Sequence, residues 1–131
     1  MTNPKFAVSA SVVRYLLALD ALKGGGGIRT TDVARYLNIK KPSAHTMLNN
    51  LKDAGILTKD ELGIAHLTSG GAELTRQYRR YYCAVSAMLA RTLPSSADIK
   101  KAACALVAEL SEQTLEELCT QSGTEETPNV S

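Results

Sequence analysis

The junction Leu37-Asn38-Ile39-Lys40-Lys41-Pro42 joins two short amphipathic segments and leaves almost no length for a loop. Thr31 is the N-cap candidate ahead of Asp32-Val33-Ala34-Arg35-Tyr36-Leu37, where an acid in the first turn suits the helix dipole. Val33, Ala34 and Leu37 share one apolar face, and the helix ends at Asn38-Ile39. Pro42 fits the first turn of a second helix, where no amide donor is required. Two helices in a tight turn are therefore predicted, followed by Gly55 as the residue that closes the second one. Ile56-Leu57-Thr58-Lys59 and Ile64-Ala65-His66-Leu67-Thr68 then read as short strands around Asp60-Glu61-Leu62-Gly63. Residues 30–68 have the layout of a winged helix-turn-helix, and double-stranded DNA is the first partner that layout suggests.

In the second helix Ala44, Met47, Leu48 and Leu51 follow the i, i+3, i+4, i+7 pattern and form a packing stripe. The other stripe carries Pro42, Ser43, His45, Thr46, Asn49 and Asn50, most of them short polar side chains suited to base edges or phosphates. Arg29, Lys40, Lys41 and Lys52 flank it with positive charge. These ten residues are the candidate DNA contacts. Asp60 and Glu61, at the wing tip, would repel phosphate unless they are turned away.

Net charge sharpens this assignment. The chain carries +2 overall, but residues 1–60 carry +5 and residues 61–131 carry −3. The basic half is the half with the helix-turn-helix. At 131 residues and 44% hydrophobic content the chain is long enough to bury a core without staples. Its apolar runs are short, and Met1-Thr2-Asn3-Pro4-Lys5 does not begin a signal peptide, so a cytoplasmic protein with no membrane partner is expected. Cys83, Cys104 and Cys119 are 21 and 15 residues apart, a spacing unlike that of zinc knuckles or ribbons. Their ordinary reading is as reduced, part-buried small hydrophobes.

Upstream, Val12, Tyr15, Leu16, Leu19 and Leu22 mark an amphipathic helix that four consecutive glycines, residues 24–27, bring to an end. No Lys-Ser/Thr pair follows the glycines, so they do not form a phosphate loop. From Ser69 a long helix runs to the break at Leu93-Pro94, and Ser95 or Ser96 is expected to cap the next helix. Ser111 caps a last one. The expected organisation is mainly α: a winged helix-turn-helix DNA-binding domain over residues 1–70, a helical dimerisation domain over 71–120, and a disordered polar tail over 121–131. The tyrosines of Gln77-Tyr78-Arg79-Arg80-Tyr81-Tyr82 fall on several faces of the long helix and fit packing between two copies.

The run Ile28-Arg29-Thr30-Thr31-Asp32-Val33-Ala34, with Lys41-Pro42-Ser43-Ala44-His45-Thr46-Met47-Leu48, Ala54-Gly55-Ile56-Leu57 and His66-Leu67-Thr68-Ser69-Gly70-Gly71, resembles the DtxR/MntR family of metal-dependent transcriptional repressors. The resemblance covers roughly residues 10–119 and stops short of the SH3-like extension that longer members carry. It implies a homodimer that binds operator DNA in the presence of manganese or ferrous iron and represses genes of metal uptake. At the positions matching the family's metal ligands this chain has Ser11, Arg14, Tyr82, Cys104, Val107 and Ala108, with Cys83 beside Tyr82. Only Cys104 keeps a donor of the family's kind, and manganese prefers hard oxygen and imidazole ligands.

Two readings of that loss stand. One is a regulator that needs no metal. The other is a thiol site built from Cys83 and Cys104 for a softer metal or an oxidant, with His66 or Glu109 contributing. Beyond regulators, a winged helix serving only as a protein-interaction module is the main rival. An enzyme is not expected, because neither histidine has a nucleophile or carboxylate at catalytic spacing.

Overall fold

The computed structural model describes residues 8–122. Among them run six helices and one two-stranded sheet: α1 (Ala10–Leu22), α2 (Thr30–Leu37), α3 (Lys41–Asp53), β1 (Leu57–Lys59), β2 (Ala65–Leu67), α4 (Ser69–Thr92), α5 (Ile99–Glu109) and α6 (Glu112–Ser122). This is a winged helix with further helices after it. Two compact units divide the chain, one made of residues 14–76 and the other of residues 8–13 and 77 onward. No helix among the described residues is long and apolar enough to cross a membrane.

The first unit is built around the buried stripes anticipated from periodicity. Tyr15 and Leu19 of α1, Val33 and Ala34 of α2, and Ala44, Leu48 and Leu51 of α3 close on Ile56, Leu57 and Ala65. α2 ends at Asn38, whose left-handed backbone (φ 57°) lets the Ile39 amide reach back to the Ala34 carbonyl at 3.0 Å. The chain is thereby turned into α3 within three residues, and Pro42 occupies its first turn. Gly55, at φ 85°, turns the chain out of α3.

β1 and β2 pair antiparallel with Leu57 opposite Leu67 and Lys59 opposite Ala65. A third segment joins them, because Ile28 bridges Ala65. That bridge moves the start of α2 from where local chemistry would put it. Arg29 is held extended (ψ 145°) directly after Ile28, so the helix opens at Thr30, with Arg29 in the cap position and no side-chain cap bond, rather than behind a Thr31 cap. The Thr68 hydroxyl accepts the Gly71 amide at 2.9 Å and donates to the Gly55 carbonyl at 2.7 Å, which ties the start of α4 to the turn after α3.

In the second unit Tyr78, Tyr81, Ala84, Val85 and Leu89 of α4 are buried, as are Ala103, Cys104 and Val107 of α5 and Leu115 and Cys119 of α6. Tyr78 and Tyr81 pack edge to face, with centroids 5.4 Å apart. The cap of α5 is Asp98, whose carboxylate accepts the Lys101 amide at 3.1 Å. Ser95 and Ser96 lie instead in the exposed turn closed by the Ala97 amide on the Pro94 carbonyl. Ser111 caps α6 as expected, accepting the Thr114 amide at 3.1 Å.

Candidate nucleic-acid interface

α3 sorts its side chains cleanly. Ala44, Leu48 and Leu51 are fully buried, while Lys41, Pro42, Ser43, His45, Thr46, Asn50 and Lys52 are exposed. Lys40 stands exposed in the cap position of the same helix, and Arg29 is exposed ahead of α2. Cations and short polar groups therefore share the outward side of the helix-turn-helix. Asn49 differs from the others in being half-buried.

The reason is Lys59. Its ammonium donates to Asn49 Oδ1 at 2.9 Å, while Asn49 Nδ2 lies 3.2 Å from His45 Nε2, one helical turn earlier. Lys59 was not among the residues expected at the interface. Alternation along β1 was the available signal, because Lys59 sits two residues beyond the buried Leu57 and so shares its face.

At the wing tip the two acids behave differently. Asp60 is folded back into the hairpin: Oδ1 accepts the Leu62 amide at 2.9 Å and the Ile64 amide at 3.0 Å, and Oδ2 meets His66 Nε2 at 3.2 Å. The Ile64 amide, then His66, hold the Asp60 carboxyl below the usual carboxylate range. Gly63 supplies the positive φ of 80° that closes the turn. Glu61 stays exposed, and Leu62 projects with 83% of its surface in solvent.

Cys83 is exposed on α4 and Cys104 is buried in α5, and neither is in a disulfide. Among the described residues no group of three or more His, Cys, Asp or Glu side chains is placed to hold a metal ion. Ser11, Arg14, Val107 and Ala108 supply no donor of the kind manganese or iron takes, so the residues present do not fit the metal implied by the resemblance.

Residues 10–62 match the model of the MarR family. No curated protein matches the sequence. The fold is similar to that of IdeR from T. acidophilum, with a TM-score of 0.65 at 20% identity over 85% of this chain and 53% of that one. It is similar to ScaR with bound Zn2+ (TM-score 0.66, 22% identity, 88% of this chain and 55% of that one). It is similar also to the manganese regulator SloR (TM-score 0.69, 18% identity, 93% and 57%). The chain spans little more than half the length of these three structures. Over residues 10–62 the chain is thus similar to the MarR family, and its fold is a winged helix followed by further helices.

Proposed function

We propose that the protein is a DNA-binding transcription regulator, a repressor acting as a homodimer, that reads the major groove with α3. The observation that carries this reading is the outward stripe of α3, where Ser43, His45, Thr46 and Asn50 lie exposed between Lys40, Lys41 and Lys52 in the basic half of the chain. Base edges are matched by the short polar groups and phosphates by the lysines and Arg29. Residues 1–70 would form the DNA-binding domain and residues 71–120 the dimer contact, since two half-sites require two copies. Manganese or iron dependence is not carried over from the similar structures, because the donor set does not fit.

Fluorescence anisotropy with a labelled duplex at low salt tests the reading. Nonspecific binding at micromolar protein that weakens steeply with added salt is the expected result. A second reading, a winged helix used only to bind protein, is favoured by the exposed Leu62 and Glu61 at the wing tip. Absence of duplex binding at micromolar protein would select it.

A further inference from the structure

We infer that Lys59 and Asn49 fix His45 as a hydrogen-bond donor toward DNA, so that this position of α3 selects a base pair with an acceptor edge. The inference rests on the DNA-binding reading of α3 and adds to it a rule for one contact.

An ammonium group has donors and no acceptor. The Asn49 atom 2.9 Å from Lys59 Nζ must therefore be its carbonyl oxygen, since exchanging oxygen and nitrogen would set two donors against each other. The amide NH2 then faces His45 Nε2 at 3.2 Å. An NH2 group only donates, so Nε2 must keep its lone pair. In the neutral ring the proton consequently sits on Nδ1. The tautomer is set by a cation on the next element, β1, through one side-chain amide.

His45 is exposed in the first half of α3, the part of a recognition helix that meets base edges. A single Nδ1–H facing the groove is satisfied by purine N7, guanine O6 or thymine O4. It opposes the amino groups of adenine N6 and cytosine N4. Lys59 and Asn49 are thus positioning residues, and His45 is the residue that specifies. Asn49→Asp reverses the logic: a carboxylate accepts from Lys59 and also needs a donor from His45, so Nε2 takes the proton and Nδ1 becomes the acceptor.

Nitrogen-15 NMR of the full chain with labelled histidine, recorded without DNA at about pH 8.5 where imidazoles are neutral, reads the tautomer directly. His45→Ala identifies the resonance. The expected spectrum has protonated Nδ1 and bare Nε2, exchanged in Asn49→Asp. Selection from a random duplex library then reads the base preference. The wild-type chain should prefer an acceptor edge at one base pair per half-site, His45→Ala should lose that preference by roughly 5-fold, and Asn49→Asp should shift it toward an amino-bearing edge. A protonated Nε2 in the wild-type chain, or a sequence-specific binder whose preferences all survive His45→Ala, would overturn the inference alone. Failure to select any duplex would overturn the DNA-binding reading and the inference with it.

Discussion

Ile28 and Ala65 exchange both of their backbone hydrogen bonds, the Ile28 amide reaching the Ala65 carbonyl at 2.7 Å and the Ala65 amide reaching the Ile28 carbonyl at 2.8 Å. The bridge brings the end of the glycine run against the wing. Gly27, one residue earlier, sits at φ 87°, and a Cβ there would overlap Ile64 Cγ2 and come within 2.7 Å of His66 Cε1. Gly27→Ala combines a left-handed backbone with overpacking and should cost about 2–4 kcal/mol. Urea unfolding checks this, and the other three glycines of the run, all at ordinary φ with no atom nearer than 3.9 Å, should accept alanine with little change.

Two glycines flanking the wing should respond differently to the same change. Gly71 lies buried in α4, where a Cβ would overlap the Ile56 carbonyl oxygen, a backbone atom that cannot swing aside. Gly55 has φ 85° but open space around it. Gly71→Ala should lower stability by up to about 3 kcal/mol, and Gly55→Ala by about 1 kcal/mol. Thermal unfolding of both variants measures the difference, and equal losses would contradict the packing at Gly71.

Lys40 and Lys41 precede the outward face of α3 and are both exposed. Their joint replacement by alanine should weaken binding to every duplex and reduce the salt slope by about 2 units, since each phosphate contact contributes about 0.9. Anisotropy titrations across a salt series check this. An unchanged slope would remove both lysines from the interface.

The Tyr81 hydroxyl donates to Glu116 at 2.7 Å and accepts from Gln77, whose amide also reaches Glu112 at 3.1 Å. Burial, then the neighbouring carboxylate, pushes the Tyr81 hydroxyl well above its ordinary range. The same hydrogen bond, with Arg80 adding to it, holds Glu116 below the usual glutamate value. Tyr81→Phe should cost about 1 kcal/mol, because Glu116 is half-exposed and recovers water. A double-mutant cycle with Glu116→Gln should show the two losses to be largely shared.

Asp60 gives a pH dependence with a definite sign. Its carboxyl is depressed in the folded hairpin, so its contribution is fully present above the ordinary aspartate range and is lost as pH falls through the lower folded value. Comparing wild-type and Asp60→Ala denaturation midpoints from about pH 7 to pH 3, the gap should be constant near neutrality and close on acidification. A gap that widens in acid would contradict the wing-tip geometry.

Much of the first unit could be read from the chain because its signals are local. Pro42 opens a helix wherever it sits in a first turn, Gly55 supplies a conformation few residues adopt, and the spacing of Ala44, Met47, Leu48 and Leu51 admits one helical face. The outward polar face of α3 follows from that spacing. The end of the long helix at Leu93-Pro94 was equally legible, since proline lacks the amide the next turn needs.

What only the tertiary structure decided depends on residues distant in sequence. Ser95, Ser96 and Asp98 are all competent caps, and in the folded chain Asp98 takes the role. Ile28 became a third wing segment because Ala65, 37 positions later, offered a matching donor and acceptor, and that pairing moved the start of α2 to Thr30. Asn49 reads as a free base-reader until Lys59 takes its carbonyl. Residue type and spacing determined which faces are buried and which point outward. Which polar atoms on the offered face remain available was decided by hydrogen bonds that form only when the strand and helix meet.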